Sequence, residues 1–412
     1  MVRKFSLCVC LLLPGVTLPA QDTWIQRAAL TIPARTQAVG FSVGQKGYVA
    51  TGSDGSAAGI LSDLQEFDPA TNTWRYRATL PSPLRGSVAF SVGSKAYVTT
   101  GAETSGFNTR LFVWDQLSDS WTTRLAFPGQ GRMAAVGISF GNRGYIATGL
   151  DGYERALNDL WEYDPFANSW TKKASLPGNG RCYATALAIN NRIYIGLGNN
   201  GSACLQDWWE YTPYTDTWRQ MADLTGLART GALGFALNGK GYIVGGVDLN
   251  FRPLQDVWEF DPERNTWTQL GQFPGLARGY GIGFTIGEYG YIAAGTSVNG
   301  YLCECWQCYH ARVIKQIPRE EVLQSDVVIS PNPFFYRFAL KMRHPYTGML
   351  EIFIRDPQGR IVFRKNFLKD THYIVRCWEI DNLPDGLFVF EVHDPSGSVN
   401  YKQTIIHKSF GI

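Results

Sequence analysis

The stretch from Lys46 to Trp74 decides the fold. It reads Lys46-Gly47-Tyr48-Val49-Ala50-Thr51-Gly52, then a polar run, then Asp63-Leu64-Gln65-Glu66-Phe67-Asp68-Pro69-Ala70-Thr71-Asn72-Thr73-Trp74. The first part is a short strand rich in β-formers and stopped by glycine. The second is an acidic, then aromatic strand, turned by Asp68-Pro69 and closed on Asn72-Thr73-Trp74. Proline fixes φ and presets that turn. Just upstream, Ala38-Val39-Gly40-Phe41-Ser42-Val43 is one more strand, so the unit holds four short strands separated by Gly, Pro, Asn and Asp.

Working outward, the unit recurs. Trp24, Trp74, Trp121, Trp170, Trp218 and Trp267 are spaced 50, 47, 49, 48 and 49 residues apart. Tyr48, Tyr97, Tyr145, Tyr194, Tyr242 and Tyr291 are spaced 49, 48, 49, 48 and 49. Arg35, Arg85, Arg132, Arg181, Arg229 and Arg278 follow the same beat. Six units of four strands predict a six-bladed β-propeller. Phe67, Trp114, Tyr163, Tyr211 and Phe260 each lie seven residues before a repeat Trp, which holds the hairpin register. Tyr309 has Gln316 seven residues on, whereas Trp24 has no aromatic seven residues before it. The N-terminal segment 22–29 is therefore expected to supply the last strand of unit six and to close the ring, which removes exposed sheet edges.

These residues carry a resemblance. The unit, with its Gly after the second strand and its spaced Tyr and Trp, resembles the kelch repeat over residues 22–312. The kelch pattern has a glycine pair, which here appears once, as Gly245-Gly246; elsewhere the pair reads Thr51-Gly52, Thr100-Gly101, Thr148-Gly149, Leu197-Gly198 and Ala294-Gly295.

Composition agrees with an all-β chain. Of 412 residues, 44 are Gly, 14% are aromatic and 18% are charged. The charged share is below the roughly 25% of ordinary soluble proteins, and a hydrophobic share of 45% argues against disorder. The net charge of +3 is too small to imply nucleic-acid binding by field alone. At the N-terminus, Arg3 and Lys4 precede an apolar run from Phe5 to Leu13 and a small-residue boundary at Ala20. That is the layout of a secretory signal peptide over 1–20. The run is shorter than the ~20 residues a membrane span needs, and no transmembrane segment is expected elsewhere.

Beyond His310 the beat stops. We expect the propeller over 21–312, a linker over 313–325 and a small β-sandwich over 326–412, with strands at Phe338–Met342, Leu350–Arg355, Arg360–Phe363, Tyr373–Ile380, Leu387–Val392 and Tyr401–Ile406. Pro331-Asn332-Pro333, the hairpin Ile354-Arg355-Asp356 to Gly359-Arg360-Ile361-Val362, Leu383 with Gly386, and Thr404 to Lys408 resemble the C-terminal sorting domain (type A, Por-type) of type IX secretion cargo from Bacteroidetes-type bacteria. That family has Gly-x-Tyr where this chain has Gly386-Leu387-Phe388. The resemblance implies type IX machinery as a partner, passage through the periplasm, removal of the tail, and a secreted or outer-membrane-surface location. An ordinary adhesive sandwich is the other reading of the tail.

The candidate chemistry is sparse. Gly40-Phe41-Ser42-Val43-Gly44 matches the G-x-S-x-G elbow of hydrolases, but the position recurs at Ser91 and Ser139 as a strand end, and no His precedes His310. Some kelch-fold enzymes oxidise sugars with copper held by imidazole and phenolate; with His310, His344, His372, His393 and His407 the only histidines, a multi-His site is not expected on the propeller. Cys303, Cys305 and Cys308 have near-zinc spacing, yet strand alternation sends Cys305 and Cys308 to opposite faces. No metal, cofactor or catalytic residue is assigned. Cys182 and Cys204, in one unit, are candidates for a disulfide, and Cys377 lies in the tail.

Two sets of residues remain as binding candidates. The ring Arg35, Arg85, Arg132, Arg181, Arg229 and Arg278 runs beside the acids Asp63, Asp159, Asp207, Asp256 and Glu304, with Arg110 as the exception. The ring either locks the blades or lines a funnel for an anionic ligand; repetition in every unit favours the first. The loops after each second strand differ most between units and gather on one face. They carry Phe107, Tyr153, Arg155, Phe251, Arg252 and Tyr301, types that stack on and hydrogen-bond a sugar or peptide. The expected function is recognition of a glycan or protein through this face. The alternatives are a kelch-type epimerase or mutarotase acting on sialic-acid-like sugars, and a structural surface component.

Overall fold

The computed structural model describes residues 22–31, 33–56, 59–310, 326–330, 337–343, 348–369, 373–379, 384, 386–394 and 400–407. The expected signal peptide and linker, Pro331-Asn332-Pro333 and Leu383 lie outside the described residues. The chain divides into two compact units at residue 312. Every regular element among the described residues is a β-strand. No helix of the described residues is long and apolar enough to cross a membrane.

The first unit is a six-bladed propeller. Blade 1 pairs Val39–Val43, Lys46–Ala50, Leu64–Asp68 and Thr73–Arg77 in that order, from inner to outer strand. Blades 2 to 5 repeat the arrangement. Blade 6 takes its outer strand from the N-terminus: Asp22–Arg27 pairs antiparallel with Cys305–His310, Trp24 opposite Cys308. The ring closes on the chain's two ends, as the Trp spacing required.

The core lies between blades. Phe67 of blade 1 packs with Ile282, Phe284 and Tyr291 of blade 6, and Tyr163 of blade 3 with Phe90 and Tyr97 of blade 2. The repeat Tyr stacks on the Phe opposite it on the inner strand, with ring centroids 5.3 Å apart for Phe41–Tyr48 and 5.0 Å for Phe90–Tyr97. The residue before that Tyr faces the preceding blade's inner strand. At Gly144 a Cβ would sit 2.1 Å from the Phe90 ring, so glycine sets how closely these sheets approach.

The closing hairpins clamp neighbouring blades. Trp74 Nε1 donates to the Ala28 carbonyl at 2.8 Å, and Asn72 Oδ1 accepts from the Ala28 amide at 3.0 Å. The same pair of bonds joins Trp121 and Asp119 to Ala78, Trp170 and Asn168 to Leu125, Trp218 and Asp216 to Ala174, and Trp267 and Asn265 to Ala222. The Asn or Asp sits at φ between 47° and 55°, a left-handed conformation those two residues tolerate. The repeated Asn/Asp-x-Trp thus satisfies both backbone groups of one residue in the preceding unit.

The second unit is a sandwich of two sheets. Asp326–Ser330, Arg337–Arg343 and Tyr373–Glu379 form one; Ile361–Lys369, Gly348–Arg355, Gly386–His393 and Asn400–His407 form the other. Leu340 and Met342 of the first share a core with Leu350, Ile352, Ile354, Phe388, Phe390 and Ile405 of the second. The strand expected at Arg360–Phe363 runs from Ile361 to Lys369, because it pairs along the whole of Gly348–Arg355, with Lys369 opposite Gly348 and a bulge at Ile354/Arg355 near the turn.

Candidate functional site

Five of the six ring arginines are structural. Arg35, Arg132, Arg181, Arg229 and Arg278 are fully buried. Arg229 forks onto Asp256 with two bonds of 2.7 Å, and Nη1 also donates to the Gly245 carbonyl at 2.9 Å. Arg35 does the same with Asp63 and Thr51, Arg132 with Asp159 and Thr148, and Arg181 with Asp207 and Leu197. Arg278 pairs with Glu304 and bonds the Ala294 carbonyl at 3.4 Å. An indole N–H adds a further bond to the acid at Asp159, Asp207, Asp256 and Glu304, from Trp161, Trp209, Trp258 and Trp306. Burial alone would raise these four carboxyls; the hydrogen bonds and charge of the arginine outweigh it and hold them below their ordinary range.

The carbonyl that meets each arginine belongs to the first position of the glycine pair. Thr51, Thr148, Leu197, Gly245 and Ala294 all take φ between 58° and 66° there. That conformation turns the carbonyl to the guanidinium. It also explains the kelch preference for glycine at a position this chain mostly fills with Thr, Leu or Ala.

Blade 2 breaks the pattern and corrects the ring. The Gly52 amide donates to the Leu84 carbonyl, as Gly246 does to that of Arg278 and Gly295 to that of Arg35. Leu84, not Arg85, is thus the equivalent of the buried arginines. It packs with Leu80, Val98 and Phe112. The acid's place holds Arg110, which pairs with Glu103 and lies over the Phe112 ring at 5.1 Å. The Thr100 carbonyl takes its bond from Asn108 Nδ2 instead. A connection one residue shorter has slid Arg85 one place on, to the level of Thr36, Met133 and Cys182, where its side chain is exposed. The sequence held the signal: five arginines lie 13 residues before the repeat Tyr, and Arg85 lies 12 before Tyr97.

Next to Arg85 is the mouth of the central channel, which sequence reasoning missed. Gln37, Gly86, Ala134, Tyr183, Gly231 and Tyr280, one from each blade, form a closed cycle. Each backbone amide donates to the carbonyl of the previous member, at 2.8 to 3.0 Å. All six have φ between 50° and 63°. These residues line a recess of about 120 Å³. Gln37 Nε2 donates to the Tyr183 hydroxyl at 2.7 Å, and the Tyr183 and Tyr280 rings meet edge to face at 4.9 Å. Gln37 Oε1 is buried with no partner. Burial pushes the Tyr280 phenol up to about 12 and Tyr183 higher still; the positive charge of Arg85 acts on Tyr183 in the opposite direction. Cys182 is likewise raised by burial, to about 11.

The loop-face candidates are partly gathered. Phe107 packs beside Gly131 and Gly152, next to the loop that carries Tyr153 and Arg155. Tyr153 is 76% exposed, and the Arg155 guanidinium lies 4.9 Å from its ring centre while bonding Asp151 at 2.8 Å. Phe251 is 75% exposed, on a loop held by Asp248, whose carboxylate accepts from the amides of Asn250 and Arg252. Tyr301 lies over Gly55, in the loop of blade 1. These residues stand on separate loops around the face rather than in one pocket. A larger recess of about 800 Å³ lies between blades 4 and 5, lined by Gln206, Leu227, Gln255, Trp258, Gln269 and Gln272. It accompanies a bulge at Val257/Trp258 that is particular to blade 5.

The remaining motifs are structural. Ser42 sits on the inner strand Val39–Val43 and lines the channel with Ser91 and Ser139. Cys305 packs toward Phe67 and Cys308 toward Phe235, on opposite faces. Cys182 and Cys204 do not form the disulfide considered from sequence. They lie on either side of Asn199, whose carbonyl meets Cys182 Sγ at 3.5 Å, and each keeps its own thiol. Among the described residues no group of three or more His, Cys, Asp and Glu side chains is placed to hold a metal ion.

Comparison with known proteins bears on the fold. Residues 89–276 match the KLHDC2/KLHL20/DRC7 Kelch-repeats domain. Curated proteins give no match. Solved structures match widely, with 289 chains. One, titled "Structure of YjhT", aligns with a TM-score of 0.58 at 14% identity, covering 68% of this chain and 96% of that one. Such breadth shows that the fold does not specify a task. Repeat, topology and comparison agree: the first unit of this chain is a six-bladed β-propeller, and its residues 89–276 match a kelch-repeat model.

Proposed function

We propose that this is an exported kelch-repeat protein whose propeller binds a glycan or a protein through the loop face, and whose tail is a type IX sorting domain that carries it through the periplasm to the medium or the cell surface. The loop tips carry the reading. Tyr153 and Phe251 stand out exposed from the face, while five of the charges beneath are consumed in ion pairs. Exposed aromatics on loops held by a rigid scaffold are the usual equipment of a binding surface.

The titratable groups at the mouth support binding over proton transfer. Burial moves Tyr183, Tyr280, Cys182 and Cys204 away from neutrality, and a general acid or base works best with a pKa near the working pH. A glycan and acidic-sugar binding screen on the full chain tests the reading. We expect a hit weakened by alanine at Phe107, Tyr153, Phe251 or Tyr301. Epimerase or mutarotase turnover abolished by loss of one funnel acid would replace binding with catalysis. For export, deletion of 326–412 should leave the protein in the periplasm; normal surface delivery without the tail would overturn that assignment.

A further inference from the structure

The break in blade 2 leaves one arginine exposed, next in sequence to Gly86 of the channel mouth. We propose that Arg85, with the hydroxyls of Tyr183 and Tyr280 and the amide of Gln37, forms a subsite for one singly charged oxyanion group, a carboxylate or a sulfate ester, borne by the ligand of the loop face. This rests on the binding reading above and narrows it.

Four observations converge. First, the other five arginines each have an acid partner, whereas among the described residues no hydrogen bond or ion pair occupies the exposed side chain of Arg85, which is held only through its backbone, to Ala102. Second, the recess beside it is lined by no acidic side chain: its polar side chains are Gln37, Ser87, Tyr183 and Tyr280. Third, a buried acceptor, Gln37 Oε1, has no partner inside the protein. A buried polar atom of this kind is met by water or ligand, and a hydroxyl adjoining the charged group would meet it. Fourth, at about 120 Å³ the recess admits one small group rather than a whole ligand.

The backbone fixes the arrangement. The amide cycle uses the N–H and C=O of all six mouth residues, so Gln37, Tyr183 and Tyr280 are left to meet a ligand through their side chains. Phenols keep their protons at neutral pH, and burial raises these two further, so both can donate. A guanidinium with neutral donors is the set that distinguishes an oxyanion from a neutral sugar. Symmetry points the same way. Six equal arginines would be scaffold, and the one displaced from the scaffold is the one available to a ligand.

The test uses the full chain in titration calorimetry with glucuronate, glucose 6-sulfate and glucose at low ionic strength. We expect one or both anions to bind, glucose to bind at least about tenfold more weakly, and the preference to fall as salt rises. Arg85→Ala should lower anion affinity about tenfold or more, as loss of a charged hydrogen bond does. Arg85→Lys should retain part of it, and the melting temperature should not change. The ratio of the two anions tells carboxylate from sulfate. Equal binding of glucose and the anions, unchanged anion affinity in Arg85→Ala, or binding of neither anion would overturn the subsite. If the broad screen then still finds a ligand held by Tyr153 or Phe251, the binding reading stands without it; if it finds none, both fall.

Discussion

In blade 5 the residue ahead of the inner strand is Arg229, buried against Asp256 with Trp258 donating from the side. In blade 2 it is Leu84, packed on Leu80, Val98 and Phe112. The two blades bury the same position, one with a hydrogen-bonded ion pair and the other with hydrocarbon. All partners change together: Arg to Leu, acid to Arg110, Trp to Phe112, and the arginine's carbonyl bond passes to Asn108. The reason is energetic. A buried pair and an apolar cluster of similar volume are close in free energy, whereas half a pair is not, because it strands a buried charge.

The largest expected effect comes from acid, which strikes the pairs of blades 3 to 6. The carboxyls of Asp159, Asp207, Asp256 and Glu304 are held below their unfolded values. Their contribution is present above the unfolded pKa, ~4 for these carboxyls, and is lost as pH falls through the lower folded values. Thermal melting between pH 7 and pH 2 should stay level to about pH 4 and then drop steeply; a flat profile would mean the ring does not stabilise the fold.

Arg229→Leu alone should cost about 3–5 kcal/mol in urea unfolding, since it leaves Asp256 buried without its cation. Adding Asp256→Arg and Trp258→Phe, which copies blade 2, should recover most of that loss; no recovery would show that the blade 2 solution depends on its shorter connection. Gly144→Ala should cost about 1–3 kcal/mol by forcing a Cβ into the Phe90 ring. Trp218→Phe should cost about 1 kcal/mol by leaving the Ala174 carbonyl without its indole donor. Arg85→Ala, last, should change stability by less than about 0.5 kcal/mol, and a larger loss would return Arg85 to the scaffold.

Much of this was legible beforehand. The spacing of Tyr and Trp identified six blades, and the unmatched Trp24 and Tyr309 located the closure. The paired Arg and acid were visible, as was Arg110 as the exception. The one-residue lag of Arg85 was visible too, but only pairing shows that a residue one place late faces another way. The Asn/Asp-x-Trp repeat marked a turn; that it grips the preceding blade depends on a neighbour 41 to 44 residues away in the chain, as Ala78 is to Asp119 and Ala28 to Asn72.

The sequence by itself determined the blades, their register and their number, because these follow from local alternation, turn residues and a period. Only the tertiary structure decided the channel mouth. Gln37, Tyr183 and Tyr280 are unlike in type and far apart in sequence, and no local preference would put them in left-handed conformations. They meet because six twisted sheets packed round one axis bring one backbone position from each blade within hydrogen-bond reach of the next. The same closure leaves a single arginine, displaced by a connection one residue short, exposed beside a mouth residue instead of buried in the core.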